Sequence, residues 1–146
     1  MKIGVISDLH GKCPKNIFAA LSGVSLILSL GDIENEDIIT DLGAVATVIS
    51  VRGNCDTGFD ISKYPAEREL EILGLKIYMC HVLGVAANRS ADIVLYGHTH
   101  VAENEIRGGV LYFNPGSASR PRKGNASVGI IEISENKIME REIIEI

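Results

Sequence analysis

A chain of 146 residues, 46% hydrophobic and 23% charged, has the size and balance of a globular domain with a real core. Its net charge of −5 argues against a nucleic-acid groove as the main partner surface, because phosphate backbones call for concentrated Lys and Arg. Ser25, Ser29 and Ser50 break the longest apolar stretches, so no membrane span is expected. The three scattered cysteines, Cys13, Cys55 and Cys80, read as reduced thiols of a cytoplasmic protein and not as a disulfide framework. Met1-Lys2-Ile3 runs straight into apolar sequence, without the charged and apolar regions of a cleavable leader.

In chain order, Met1 to Ser7 is a β-branched run ending at Asp8, the pattern of a buried strand. Pro14 fits the first turn of a helix through about Leu21, with Gly23 as its stop. Leu26 to Leu30 predicts a second buried strand, running into Gly31-Asp32. Asn35 or Asp37 can cap the short helix that follows, and Gly43 closes it. Val45 to Val51 is a third strand, ending at Arg52-Gly53-Asn54. This alternation of strand and helix means parallel strands with crossover helices.

The second half changes character. Arg68 to Leu73 and Leu75 to Cys80 flank Gly74 like a hairpin. Ile93 to Tyr96, Val101 to Arg107, Val110 to Phe113, Val128 to Ile133 and Ile138 to Ile144 are strand-like, with hairpin turns at Gly108-Gly109 and Glu135-Asn136. Only Val85 to Ala91 looks helical there. The expected architecture is α/β (α+β): a four-layer α-β-β-α sandwich of two mixed sheets, face to face, with flanking helices, as one domain over residues 1–146.

All four histidines fall in one ordered set of polar motifs: Asp8 and His10, Gly31-Asp32, Gly53-Asn54-Cys55-Asp56, His81, and Gly97-His98-Thr99-His100. Asp8, Asp32, Asn54, His81 and His98 each follow a predicted apolar strand, the edge where open sheets bind ligands. Carboxylates and imidazoles with one amide suit divalent ions such as Mn²⁺, Fe²⁺, Ni²⁺ or Zn²⁺, and the set is too large for a single ion. Asp-x-His and His-x-His bring both side chains to one place only where the strand has curled into a loop, and Gly31, Gly53 and Gly97 let the backbone come close.

In this order the motifs resemble those of the calcineurin-like metallophosphoesterases, and the size matches their small single-domain phosphodiesterase branch. The resemblance runs from Asp8 to the loop Asn114-Pro115-Gly116-Ser117. It implies that Asp8, His10, Asp32 and His100 hold one metal, and that Asp32, Asn54, His81 and His98 hold the second, with Asp32 bridging. A hydroxide shared by the two divalent ions, manganese first among the candidates with Ni, Fe, Zn and Mg behind it, is then the nucleophile that attacks phosphorus in line. Asp32, Asn54 and His98 are the catalytic candidates of this set. The substrate is a small phosphate ester, more readily a diester because no added cap covers the metal edge.

The chain departs from the family in two places. Cys55 stands where many larger members have a His that contacts substrate and helps the leaving group, a change familiar among small members. A thiol is a poor source of positive charge, so weaker activation of poor leaving groups is expected. Val82 follows His81 where Gly is usual, and the stretch to His98 is short, leaving little material for a lid.

Several residues admit a plainer reading. Asp8 and Asp32 can be helix caps, His81 a hydrogen-bonded histidine, and Asn54 a residue tolerant of the turn after Gly53. Asp56 is expected to support the loop from behind, and Cys80 to pack in the core. Cys55, Asn114, Ser117 and Arg120 are the substrate-facing candidates. The loop through Arg120, Arg122 and Lys123 can equally be an ordinary solvated one. A rival function is that of the retromer scaffold subunit, a protein-binding module with this fold that has lost ligand residues; a metal- or nucleotide-binding protein with little catalysis is a third. Exposed edges of the second sheet make a homodimer a further expectation.

Overall fold

The computed structural model describes residues 1–60, 62–84 and 90–146. Its first half holds β1 (Lys2–Ile6), α1 (Asn16–Ala20), β2 (Leu26–Ser29), α2 (Glu36–Gly43) and β3 (Thr47–Ser50). Its second half is β4 (Glu67–Ile72), β5 (Leu75–Cys80), β6 (Ile93–Leu95), β7 (Glu103–Arg107), β8 (Val110–Asn114), β9 (Ser127–Ser134) and β10 (Lys137–Glu145). Two mixed five-stranded sheets result, ordered β10-β9-β1-β2-β3 and β4-β5-β6-β8-β7. β1, β2 and β3 run parallel through crossovers, and the chain returns at its end to lay β9 antiparallel against β1.

Strand alternation decides which side chains meet between the sheets. Ile3 and Val5 of β1, Ile131 and Ile133 of β9, and Leu26 and Leu28 of β2 face Ile77, Met79, Leu95 and Phe113 of the second sheet. The Phe113 ring needs Gly129 beneath it, since a Cβ there would lie 2.2 Å from the ring. The other face of the first sheet is closed by α1 and α2, through Ile17, Leu21, Ile38 and Leu42 against Ile6, Ile27 and Ile130. The helix read at Val85 to Ala91 falls mainly on 85–89, which lie outside the described residues. No helix among the described residues is long and apolar enough to cross a membrane.

Both helices are short for local reasons. Asn35 caps α2, its side chain accepting from the Asp37 N–H at 3.0 Å, with Glu36 and Asp37 in the first turn favoured by the helix dipole. The helix ends at Gly43 as expected, and its C-cap Ala44 keeps right-handed geometry. At α1, Lys15 occupies the N-cap and makes no side-chain cap bond, so the helix is only Asn16–Ala20. The edge strand β4 alternates exposed Glu67, Glu69 and Glu71 with half-buried Arg68, Leu70 and Ile72, a charged edge that discourages further pairing.

Candidate metal centre

Each of these candidate ligands lies one to five positions beyond a strand end, and all reach the same edge of the two sheets. Asp8 and Asp32 follow β1 and β2, Asn54 follows β3, His81 follows β5, and His98 and His100 follow β6. The loops hold a special backbone. Asp8, His10, Asp32, Glu34, His98 and His100 all have φ between 47° and 67°, six of the nine non-glycine residues with positive φ among the described residues. Such conformations cost on the order of 1 kcal/mol or more each and cluster where function requires them. The other three, Leu73, Glu135 and Asn136, sit in hairpin turns.

Three loops therefore share one device: residues i and i+2 are both left-handed, at Asp8 and His10, Asp32 and Glu34, and His98 and His100. The first two loops are tied together by Asp8 N–H to Gly31 O (3.0 Å), His10 N–H to Asp32 O (2.8 Å) and Gly11 N–H to Ile33 O (2.9 Å). Close approach explains the glycines. A Cβ on Gly53 would lie 2.0 Å from Asp32 Oδ1, and one on Gly31, which also has φ of +90°, would lie 2.3 Å from Gly53 N.

The imidazoles gather in pairs. His10 and His100 have ring centroids 4.9 Å apart, and His81 and His98 have theirs 5.2 Å apart. Three rings are anchored through Nδ1: His10 to Glu34 Oε1 at 2.5 Å, His81 to Leu30 O at 2.7 Å, and His100 to Arg120 O at 2.6 Å. Their Nε2 atoms turn inward. His100 Nε2 is 3.3 Å from Asp8 Oδ1, His81 Nε2 is 3.3 Å from Asp32 Oδ2, and His10 Nε2 lies 3.9 and 3.8 Å from the two carboxylates. Histidines that ligate metals are oriented in this way by a carbonyl or carboxylate behind the ring.

The chemistry of the donor set fits cations. Asp8 is fully buried and Asp32 nearly so. Among the described residues Asp8 Oδ1 and His81 Nε2 are buried and make no hydrogen bond, each having its nearest ion-pair contact at 3.3 Å, to His100 Nε2 and to Asp32 Oδ2. Donor atoms of Asp8, His10 and His100, and those of Asp8, Asp32 and His81, each lie within 4.8 Å of one another, so a metal ion between them would meet three ligands. His98 Nδ1 lies 3.1 Å from Asn54 Oδ1 on the exposed side, and the His98 N–H donates to Asp8 Oδ2 at 3.1 Å.

Electrostatics follow the same geometry. Burial works against the Asp32 charge, but His81 and the Cys55 N–H (2.8 Å) outweigh it and hold the carboxyl well below the usual range. For His81 burial favours the neutral ring, yet Asp32 and then Asp8 hold its pKa above the ordinary 6.5. Burial and the neighbouring Asp32 push the Cys55 thiol up to about 11, so it stays protonated. Its Sγ accepts from Asn54 Nδ2 at 3.3 Å and lies within ligand range of His10 and Asp32.

The supporting residues are placed unequally. Asp56 is buried and its carboxylate accepts three backbone N–H groups, from Asp32 (2.8 Å), Glu34 (2.7 Å) and Gly53 (2.7 Å), which locks two loops together. Asn114 and Ser117, expected to face substrate, are fully buried instead. Asn114 Nδ2 donates to Gly97 O and Thr99 Oγ1 and its Oδ1 accepts from Gly116 N, while Ser117 Oγ donates to Asp8 O and accepts from Arg120 N. Their polar atoms are used in bracing the loops, which leaves none for a ligand. Arg120, by contrast, lines a cavity of about 410 Å³ together with Arg122, Cys55, His98 and both His10 and His100.

Glu34 was hidden in the sequence, where the acidic run Glu34 to Asp37 reads as a helix start. The signal was present: Asp32-Ile33-Glu34 repeats the i, i+2 spacing of Asp8 and His10, and Glu34 uses it to reach the His10 ring.

The Calcineurin-like phosphoesterase superfamily domain matches residues 1–136. The phosphodiesterase YfcE of Escherichia coli (strain K12) is 34% identical over 162 residues, covering 90% of this chain and 88% of that protein. A probable metallophosphoesterase of Methanothermobacter thermautotrophicus is 32% identical over 154 residues, covering 94% and 89%. The solved structure of YfcE, a phosphoesterase from E. coli, superposes with a TM-score of 0.74 at 25% identity, over 97% of this chain and 98% of that one. Vps29 of Entamoeba histolytica complexed with Zn²⁺ shares the fold, with a TM-score of 0.77 at 20% identity over 99% and 97%. With the match spanning nearly all of the strands that deliver the buried carboxylates and imidazoles, the chain belongs to the calcineurin-like phosphoesterase superfamily.

Proposed function

We propose that this protein is a phosphodiesterase that works with two divalent cations, manganese being the first candidate. One would be held by Asp8, His10, Asp32 and His100, the other by Asp32, Asn54, His81 and His98. The observation that carries the reading is a pair of buried atoms that make no hydrogen bond among the described residues, Asp8 Oδ1 and His81 Nε2, ringed by imidazoles whose Nδ1 atoms are already committed behind them. When bound, such a pair of ions supplies Lewis acidity and an acidified water as the nucleophile.

The residues of the chain do the rest. Asp8 and Asp32, charged and enclosed, fix the spacing of the centre, and Asp56 fixes Asp32 in turn. Arg120 and Arg122 line the open cavity above His10 and His100, where guanidinium groups suit the non-bridging oxygens of a phosphate ester. His98 and Asn54, both exposed, stand at the rim where the ester enters. Cys55 stays protonated to about 11, too weak an acid to hand a proton to an alkoxide as it departs. Esters with good leaving groups should therefore turn over fastest.

The test is metal content and hydrolysis of an aryl phosphodiester and monoester with Mn²⁺, Ni²⁺, Mg²⁺ and Zn²⁺. Turnover that disappears with chelator and in Asp32→Ala and His98→Ala is expected. Stoichiometric metal without turnover on any ester would reject the enzyme and favour a binding module. No metal taken up at all would reject both.

A further inference from the structure

A second cavity, of about 310 Å³, opens beside the centre and shares only Asn54 with the one lined by Arg120 and Arg122. His81 and Val82 form part of its wall, with Tyr78 and Glu67 across it. Arg52 lines it too, two residues before Asn54 on the chain leaving β3. The Arg52 backbone is fixed, its N–H donating to Pro65 O at 3.0 Å. Its side chain is half-buried, and Nε is sealed from water without an acceptor. Among the described residues no hydrogen bond or ion pair engages this guanidinium. The acid sharing the cavity, Glu67, already accepts the Tyr78 hydroxyl at 2.5 Å.

A buried guanidinium N–H without an acceptor is costly unless something supplies one. We propose that this cavity receives one arm of the phosphodiester and that the arm ends in an anionic group, a carboxylate or a phosphate, which Arg52 binds. The inference rests on the phosphodiesterase reading above and narrows its substrate class. A diester carries an organic group on each side of phosphorus, and the two cavities meeting at Asn54 give each side its own space. Arg120 and Arg122 border the cavity that holds the reacting phosphate, so Arg52 is left for charge at a distance from it.

The test uses p-nitrophenyl phosphodiesters whose second arm ends in a carboxylate, a phosphate or a neutral hydroxyl of equal length. The kcat/KM of the wild type should favour an anionic arm by about ten-fold, the scale of one charge-assisted hydrogen-bonded pair. The favoured anion names the source. In Arg52→Gln that preference should fall to near one, and in Arg52→Lys it should survive in part. Equal rates for all arms in the wild type, or a preference unchanged in Arg52→Gln, would overturn the proposal. The Arg52 Nε–H resonance of the ¹⁵N-labelled, magnesium-loaded protein gives a reading independent of turnover. It should move on titration with unreactive methylphosphonate monoesters bearing an anionic arm, and hold still with the neutral arm. No turnover on any diester would sink the phosphodiesterase reading, while an unmoved Arg52 signal would sink this one.

Discussion

The two halves of the centre are built differently. His10 and His100 are buried, each with its Nδ1 anchored, to Glu34 and to Arg120 O, and both face Asp8. Asn54 and His98 are exposed and lean chiefly on each other, and beside the shared Asp32 it is His81 that is buried and anchored in that half, to Leu30 O. An anchored, dehydrated ligand pair loses little freedom on binding a cation, whereas an exposed pair must be ordered by it. On the proposed two-cation reading the enclosed half should therefore hold its ion tightly, and the open half more weakly.

The largest test of that contrast removes what both halves share. Asp32→Ala takes a carboxylate from each and should lower turnover by more than about a hundred-fold, with metal content falling at both positions by elemental analysis. Glu34→Gln should act on the enclosed half alone. The amide still fills the space but no longer supports the His10 ring with charge, so equilibrium dialysis should show one affinity weakened about ten- to a hundred-fold and the other kept. His98→Ala should lower the stoichiometry from two to one and spare the tight ion; loss of both would mean that the halves are one cooperative unit.

The smallest effect concerns pH. Asp32 and Asp8 raise the pKa of His81 above 6.5, so in the metal-free protein the proton on His81 stabilises the fold below 6.5, and that contribution fades as pH rises through the raised value. Metal needs the neutral ring, so its affinity should move the other way and climb over the same window. Thermal midpoints of the metal-free protein that fall with rising pH, beside dialysis constants that tighten, are the expected pair. A flat midpoint would place the proton elsewhere.

Much of this was legible along the chain. Each of the ten strands among the described residues overlaps a segment read as strand-like, and the turns at Gly74, Gly108-Gly109 and Glu135-Asn136 fall where expected, because alternation and turn chemistry are local properties. The helices were less exact. Gly43 does close α2, while the helix through about Leu21 ends at Ala20 after only five residues. The candidate ligands could be gathered from motifs because glycine and a strand end announce each one. Asn114 and Ser117 could not be judged: a polar residue in a loop looks the same whether it faces water or braces a neighbour.

The sequence by itself determined the strand pattern, the set of carboxylates and imidazoles delivered to one edge, and the Cys55 thiol among them. Only the tertiary structure decided what stands behind each ligand and what is left unpaired. His10 finds Glu34 at a separation of 24 residues, His100 finds Arg120 O at 20, and His81 finds Leu30 O at 51. Periodicity reports on neighbours within a few residues, whereas these partners meet through loops bent into left-handed conformations and through two sheets pressed together. The same closure left the Arg52 Nε–H buried without an acceptor among the described residues, a property of distance in space that spacing in the chain does not encode.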